Sequence, residues 1–209
     1  MGVLDGQVAI MTGGGSGIGR SAALMLAAEG ARVVVAGRRK APLEEVVGEI
    51  TRAGGLGVAR ACDVEKAAEA RALAEWTIAQ YGRVDILVNN AGHSSRARNI
   101  RWVGQEEWDS VLAVNLTGVY ALTQAVLPSM IERGGGTIIT ISSLAALRPG
   151  LIGGAPYGGP RPRCSTSWGT STTCCATRAS GPPPSCPPRS TPRSSTTGHS
   201  GPTPWRARP

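Results

Sequence analysis

The sequence feature that most constrains the fold is a regular alternation of short apolar runs with longer amphipathic stretches over the first 143 residues. Between the runs the hydrophobic period switches from 2 to 3.6 and back, which indicates strands that alternate with helices. The predicted strands are "QVAIMT", "ARVVVAG", "GVARACDV", "VDILVN" and "GTIITIS". The predicted helices run from about Ile18 to Glu29, Leu43 to Arg52, Glu65 to Gln80, and Glu106 to Glu132 with Pro128 near its end. This pattern predicts an α/β fold with a doubly wound parallel sheet.

The composition changes abruptly at about residue 158. Residues 158–209 contain no Val, Ile, Leu, Met, Phe, Lys, Asp or Glu, yet they hold 11 of the 15 Pro and four of the five Cys. Such a segment cannot bury enough apolar surface to offset chain entropy. We therefore predict a domain over residues 1–157, with a sheet truncated after the fifth strand, and a disordered Pro/Arg/Ser-rich low-complexity tail over residues 158–209.

The net charge of +8 belongs to this tail, which carries seven Arg and no acidic residue, whereas residues 1–157 carry 15 basic and 14 acidic residues. The charge therefore indicates neither a nucleic-acid-binding face nor a membrane surface. Cys62 stands alone in the domain, and the tail cysteines lack metal-ligand spacing, so we predict no metal site and no disulfide framework. No signal-peptide pattern or membrane-length apolar run is seen, which predicts a cytoplasmic protein.

The first strand runs directly into "TGGGSGIGR", which opens the first helix. Glycines let a backbone turn tightly and approach a pyrophosphate, whose charge then lies against free N–H groups at the positive end of the helix. The alternative is a plain tight turn, but the position between a strand and a helix favours a dinucleotide. The predicted binding residues in this turn are Thr12, Gly13, Ser16, Gly17, Ile18 and Gly19.

The end of the second strand indicates which dinucleotide is bound. NAD sites usually place an acidic residue there for the ribose hydroxyls, but this chain has Gly37, followed by Arg38 and Arg39. A guanidinium fork suits a 2′-phosphate, so we predict NADP, with NAD as the second choice. In the alternative interpretation, the two arginines belong to a solvated loop before a helix.

The ends of the third and fourth strands supply further candidates. Asp63 and Val64 follow the third strand, where Asp63 can meet the adenine edge or, alternatively, cap a helix ahead of Glu65. The turn "NNAG" leaves room for the nicotinamide ribose. Its predicted contacts are Asn90, Ala91 and Gly92, and the following His93 is expected to face solvent rather than line the pocket.

Five motifs in this order resemble the short-chain dehydrogenase/reductase family of the single-domain type. They are "TGGGSGIG", "CDV", "NNAG", "NLTG", and "ISS" followed by Tyr157, and the match in order and spacing extends over residues 5–157. The resemblance implies a Rossmann-like fold and hydride transfer between NAD(P)H and a ketone or alcohol. It also implies that Asn115 holds a relay water, Ser143, rather than the adjacent Ser142, bonds the substrate oxygen, and Tyr157 exchanges the proton.

The family's fourth catalytic residue, a Lys four positions after the Tyr, is absent. A phenol titrates near pH 10 and needs a nearby cation to work at neutral pH. Position 161 is Arg161, flanked by Pro160 and Pro162, and these prolines disfavour a continuous helix from Tyr157. We expect catalysis by this chain to be very weak or absent.

The coding frame offers an explanation of the tail. If Pro160 and Arg161 are encoded CCA AGG, the frame offset by one base reads AAG, a Lys, and the following codons permit an apolar run "KAAVLNLV". We hypothesise that the chain from about residue 158 is out of frame. The alternative is a genuine Pro/Ser/Arg-rich appendage.

Two functional hypotheses follow from the sequence. The first is an NADP(H)-dependent oxidoreductase acting on a small carbonyl or alcohol substrate, impaired in this chain. The second is a catalytically inactive dinucleotide-binding protein. The resemblance implies a homodimer or homotetramer that uses the helices after the fourth and fifth strands, and the loss of the second helix from this chain removes part of that contact.

Overall fold

The computed structural model describes residues 2–146, 154–158 and 174–178. It contains a six-stranded sheet in the order β3-β2-β1-β4-β5-β6, in which the first five strands are parallel. The strands are β1 Val8–Thr12, β2 Arg32–Gly37, β3 Leu56–Ala61, β4 Ile86–Asn89, β5 Thr137–Ile141 and β6 Cys174–Arg178. The order steps outward from β1 in both directions, which confirms the doubly wound, Rossmann-like fold.

The helices follow the predicted pattern with one difference. They are α1 Gly17–Ala28, α2 Lys40–Arg52, α3 Ala67–Tyr81, α4 Gln105–Leu112, α5 Gly118–Glu132 and α6 Ala155–Gly158. The helix predicted over Glu106–Glu132 is confirmed as one helical stretch, Gln105–Glu132, but it contains a π-helical segment, Ala113–Thr117, between α4 and α5. Within this segment, Asn115 donates its side-chain Nδ2 to the Val111 carbonyl at 2.8 Å. A side-chain bond of this kind accompanies the widened turn, and hydrophobic periodicity cannot reveal it.

The core lies on both faces of the sheet because alternate strand residues point to opposite sides. On one face, Ile10 and Val34 pack with the α3 and α5 side chains, among them Leu73, Leu122 and Met130. On the other face, Met11 and Val33 pack with α1 and α2 side chains, among them Ala23, Leu43 and Ile50. These fully buried strands explain the near-continuous apolar runs in the sequence.

The stretch Gln105–Glu132 is long and apolar enough to span a membrane by length and composition. In this fold, however, its side chains Leu122, Val126 and Met130 are completely buried against α3 and the sheet. The stretch is therefore a core element of the α/β domain.

The tail differs from its prediction at one place. The sequence predicts that β5 is the sheet edge and that the tail adds no element, but β6 pairs antiparallel along all five residues of β5. An open edge presents unpaired N–H and C=O groups to any extended segment, so pairing does not require an apolar sequence pattern. The predictions for Pro160, Arg161, Pro162 and the remainder of the tail lie outside the described residues.

Candidate dinucleotide and catalytic site

The turn between β1 and α1 requires glycine at several positions. Gly13 and Gly17 have positive φ angles of 64° and 52°, which disfavour a residue with a side chain. A Cβ on Gly19 would lie 2.2 Å from the Gly13 carbonyl oxygen, and one on Gly14 would lie 2.6 Å from Cγ1 of Val35. The turn is therefore folded tightly onto the first helical turn and the sheet.

The N-terminus of α1 is open to an anion. Ser16 occupies the N-cap position with extended backbone angles but makes no side-chain capping bond, and the first turn contains no acidic residue. The first N–H groups of a helix have no partners within the helix, and the helix dipole gives this end a partial positive charge. Both properties favour a phosphate at this position.

Thr12 joins this turn to the end of β4. Its side chain is only 2% exposed, and its Oγ1 donates to the Val88 carbonyl at 3.1 Å. The same oxygen accepts from the backbone N–H groups of Asn90 at 3.0 Å and Ala91 at 3.1 Å. Asn90 in turn donates its Nδ2 to the carbonyls of Thr12 at 3.0 Å and Gly13 at 3.3 Å. Thr12 and Asn90 thus hold the two turns at a fixed separation.

A cleft of about 370 Å³ opens at the carboxyl ends of the central strands. In a doubly wound sheet this is where ligands bind, and the volume is typical of a small-molecule site. The predicted residues that line it are Gly13, Ser16, Ile18, Gly19, Arg38, Arg39, Asp63, Val64, Asn90, Ala91 and Gly92. Thr12 and Gly17 shape the turn behind the lining. The cleft is also lined by Gly37 and His93 and by five residues that no sequence pattern marks as site residues: Gly15, Pro42, Leu43, Cys62 and Val114.

Arg38 and Arg39 lie exposed at the β2 end of the cleft, directly after Gly37. Within the described part of the chain, neither guanidinium forms a salt bridge, whereas the neighbouring Lys40 pairs with Glu44 at 3.1 Å. Both arginines border the cleft, so they can meet a ligand there as well as solvent.

Asp63 takes part in the turn that leads into α3 and also borders the cleft. Its Oδ1 accepts from the Glu65 N–H at 3.2 Å, while its own N–H donates to Glu69 at 2.8 Å. The N-cap of α3 is Lys66, so Asp63 stabilises the preceding turn rather than capping the helix itself. Beside it, burial and the carboxylates of Glu69 and Asp63 raise the pKa of the Cys62 thiol to about 11, so this thiol is unreactive at neutral pH.

Asn115 lies in the π-helical segment beside a second, small cavity. Its Nδ2 donates to the carbonyls of His93 and Val111, each at 2.8 Å. The cavity has a volume of about 10 Å³, close to what one water requires, and Ser142 is among its lining residues. The structure thus brings Asn115 and Ser142 to one cavity at the end of β5.

Ser143 and Tyr157 lie close to the same end of the sheet. Ser143 accepts from the Ala145 N–H at 3.3 Å, at the start of the 3₁₀ turn Leu144–Ala146. Tyr157 is half-buried on α6, and this helix packs against both that turn and α4. The preference for Ser143 over Ser142 stays a prediction based on spacing.

His93 faces the site instead of projecting only into solvent. It lines the cleft, and its Nε2 lies 3.2 Å from the Ser110 hydroxyl on α4. It also borders a neighbouring polar cavity of about 540 Å³, whose lining includes Arg38, Arg96 and Glu107. The expectation that His93 faces solvent is therefore wrong. The position directly after "NNAG" was the only signal in the sequence, because a lone loop His carries no pattern.

Comparison with known proteins identifies the family to which this chain belongs. The family model for short chain dehydrogenases matches residues 7–160. A D-threitol dehydrogenase from Mycolicibacterium smegmatis is 40% identical over 143 residues, which is 68% of this chain and 55% of that protein. A metagenomic short-chain oxidoreductase solved in complex with NADP is 40% identical with a TM-score of 0.75, over 78% of this chain and 75% of that one.

A 7α-hydroxysteroid dehydrogenase solved with NADH and 7-oxo glycochenodeoxycholic acid is 37% identical with a TM-score of 0.72, over 78% of this chain and 62% of that one. The chain spans little more than half the length of the first curated relatives, 55% and 58%. The matched region nevertheless contains the whole parallel sheet, the glycine-rich turn and Asn115. The chain therefore belongs to the short-chain dehydrogenase/reductase family.

Proposed function

We propose that this chain is an oxidoreductase module that binds NADP(H) and derives from an enzyme interconverting a ketone and an alcohol. The observation that carries the cofactor preference is the pair Arg38 and Arg39, which have no salt-bridge partner among the described residues and border the cleft beside Gly37. A carboxylate at position 37 would favour ribose hydroxyls, whereas two guanidinium groups favour a 2′-phosphate.

The residues at the cleft fit such a nucleotide. The uncapped N-terminus of α1 and the tight Gly13–Gly19 turn suit the pyrophosphate, while Asp63 and Val64 suit the adenine end. Asn90, Ala91 and Gly92 also line the cleft and suit the nicotinamide ribose. When bound, the nicotinamide ring supplies or accepts the hydride.

The catalytic roles that we propose fall on Asn115, Ser143 and Tyr157. Asn115 would hold a water, Ser143 would bond the substrate oxygen, and the Tyr157 phenol would exchange a proton with it. A phenol needs a nearby cation to titrate within reach of neutral pH, and Arg161 between two prolines replaces the compact Lys of the family pattern. Turnover in this chain is therefore very weak or absent, and the second candidate function is dinucleotide binding without catalysis.

The relatives support a small-molecule partner of the carbonyl or alcohol class, since one is described as a D-threitol dehydrogenase and another was solved with a 7-oxo bile acid. We propose the same substrate class for the ancestral reaction of this chain, with a cytoplasmic location and no nucleic-acid or membrane partner. A homodimer or homotetramer would lack the contact normally made by the helix that follows the Tyr.

Nucleotide binding tests the cofactor assignment. In a titration followed by nucleotide fluorescence, Arg38→Ala should weaken NADPH binding about tenfold or more, the value of one charge-assisted hydrogen bond, and should leave NADH binding unchanged. Arg71→Ala is the matched control, because Arg71 is an exposed α3 arginine away from the cleft. An equal loss for both nucleotides, or no loss for NADPH, would contradict the role of Arg38.

Turnover separates the two candidate functions. The purified 209-residue chain should bind NADPH but should not oxidise it above background with a panel of ketones. Clear oxidation would contradict the predicted impairment, and the absence of nucleotide binding would contradict both functions.

A further inference from the structure

A single carboxylate oxygen fixes the loop that follows β4 onto the first turn of α4. Oε1 of Glu107 accepts from the Ser95 hydroxyl at 2.8 Å, from the Ala97 N–H at 3.2 Å and from the Arg96 N–H. The Ser95 side chain is also close to the Ala97 carbonyl, at 2.8 Å, and this residue is only 1% exposed. Three consecutive loop residues, Ser95–Ala97, are thus held at one point of α4. Ser95–Ala97 therefore form an anchored loop.

The anchored loop is the surface on which the segment with Tyr157 rests. A Cβ on Gly154 would lie 2.8 Å from the Ser95 Cβ and 2.9 Å from the Ala97 carbonyl oxygen, so only a glycine allows this approach. Gly154 also has a φ of 78°. Its carbonyl accepts from the N–H groups of Tyr157 at 3.2 Å and Gly158 at 3.1 Å, and these bonds begin α6.

A helix as short as α6 cannot hold its own position. It has four residues, about one turn, and an isolated turn is unstable in water because nucleation costs more than one hydrogen bond returns. The placement of α6 must therefore come from tertiary contacts, which include those of Gly154 with the anchored loop and those of α6 with α4.

We propose that Glu107 is a positioning residue for Tyr157, acting through the anchored loop and Gly154. The carboxylate holds the loop, the loop seats Gly154, and Gly154 begins the turn that carries the phenol. That Glu107 affects catalysis rests on the proton-exchange role proposed for Tyr157. That Glu107 positions Tyr157 does not depend on this role. The bonds of the Glu107 carboxylate that carry this proposal go to the anchored loop, Ser95, Arg96 and Ala97.

Hydrogen exchange on the purified 209-residue chain without nucleotide tests this chain of contacts. In Glu107→Ala, the amides of Tyr157 and Gly158 should exchange about tenfold faster or more, since the loss of bonds to a charged group is transmitted to α6. Glu107→Gln should restore slow exchange, because its amide oxygen still accepts. Asp109→Asn is the control, because it removes an exposed acid from the same helix. The β1–β4 amides should stay protected in every variant.

A second pair of variants tests the contact between Gly154 and the anchored loop by changing the glycine instead of Glu107. Gly154→Ala adds a Cβ against Ser95 and Ala97, whereas Gly134→Ala adds one at a similar φ of 76° with nothing within 4 Å. Faster exchange of Tyr157 and Gly158 in Gly154→Ala only is the expected result. If Glu107→Ala unfolds the whole sheet, these two glycine variants still test whether the anchored loop positions α6.

The proposal is overturned if Tyr157 and Gly158 exchange at the parental rate in Glu107→Ala, or if Asp109→Asn accelerates them equally. It is likewise overturned if Gly154→Ala and Gly134→Ala behave alike. A chain that fails to bind NADPH would contradict the proposed function without changing any of these exchange rates, so the two failures are distinguishable.

Discussion

Asp85 shows how one buried charge holds the amino-terminal edge of the sheet together. It is 8% exposed, and its carboxylate accepts from the Val8 N–H at 2.8 Å and from Arg83 at 2.6 and 2.8 Å. Arg133, at the end of α5, adds a further bond at 2.7 Å. Burial alone would raise the pKa of Asp85, but the bonds from Arg83, Val8 and Arg133 outweigh it and hold the pKa below its usual range.

Replacing Asp85 should therefore destabilise the fold in a pH-dependent way. We expect Asp85→Asn to lower the free energy of unfolding by about 2 kcal/mol at pH 7, because two guanidinium groups lose their anionic partner. Since the pKa is lower in the folded state, this stabilisation is complete above the carboxyl's unfolded pKa of about 3.9 and is lost as the pH falls through the folded value.

Denaturant unfolding of both proteins between neutral and acidic pH measures this effect. The difference between parent and variant should be constant down to about pH 5 and should narrow below about pH 4. Asp109→Asn, at an exposed site, should match the parent throughout. A difference that grows as the pH falls would contradict this account of Asp85.

Residue types at the site could be predicted from the sequence more reliably than their contacts. The Gly-rich turn, Arg38 and "NNAG" were identified because their spacing relative to strand ends places them at one edge of a parallel sheet. The buried bonds of Thr12, the Asp85 network and the contact between His93 and Ser110 were not, because each joins residues distant in the sequence. No local pattern encodes such a pair.

At the scale of the elements, hydrophobic period predicted all five parallel strands and the three helices between the first four strands. Their ends differ by up to about three residues, because propensity does not define where hydrogen bonding begins. The π-helical segment keeps an apolar stripe and therefore reads as a continuous helix. The strand β6 has the sequence "CCATR", which lacks the alternation that predicts a strand.

Two glycines in helices should respond to alanine in opposite ways. Gly19→Ala should destabilise the domain by about 1–3 kcal/mol and abolish nucleotide binding, because its Cβ would overlap the Gly13 carbonyl. Gly48→Ala, in α2 with nothing within 4 Å of the added Cβ, should stabilise by about 0.5–1 kcal/mol.

Thermal unfolding with and without NADPH measures both effects. Gly48→Ala should retain the shift that NADPH causes in the parent, whereas Gly19→Ala should lose it. A stable, nucleotide-binding Gly19→Ala variant would show that the β1–α1 turn can relax.

At the scale of the whole molecule, the matched part of the family ends where the character of the sequence changes. The family model matches residues 7–160, and the match to the first curated relatives covers 55% and 58% of their length. Reading the coding DNA across codons 156–164 tests the frame hypothesis. A missing base that restores a Lys four residues after Tyr157 supports it, and codons that permit no such Lys contradict it.

Removing the tail should expose the edge of the sheet. A chain that ends at Gly158 loses β6, which pairs along the full length of β5, and leaves Ile139 and Ile141 on an open strand. We expect this chain to aggregate more readily than the 209-residue protein, as measured by light scattering at equal concentration. Equal solubility of the two chains would mean that the pairing of β6 with β5 contributes nothing to protection of the edge.

The pairing of β1 with β4, called the β1–β4 seam, also determines how the sheet responds to force. Within the described sheet, the half made of β3, β2 and β1 pairs with the half made of β4, β5 and β6 through β1 and β4, over the three residue pairs that begin at Ala9 and Ile86. Side chains fasten both ends of this short junction: Asp85 binds the Val8 N–H at one end, and Thr12 binds the Val88 carbonyl at the other. If one half of the sheet slid past the other, the Asp85–Val8 and Thr12–Val88 hydrogen bonds would have to break together. Under load, we therefore expect the outer strands to peel away first, and the β1–β4 seam to be the last part of the sheet to separate.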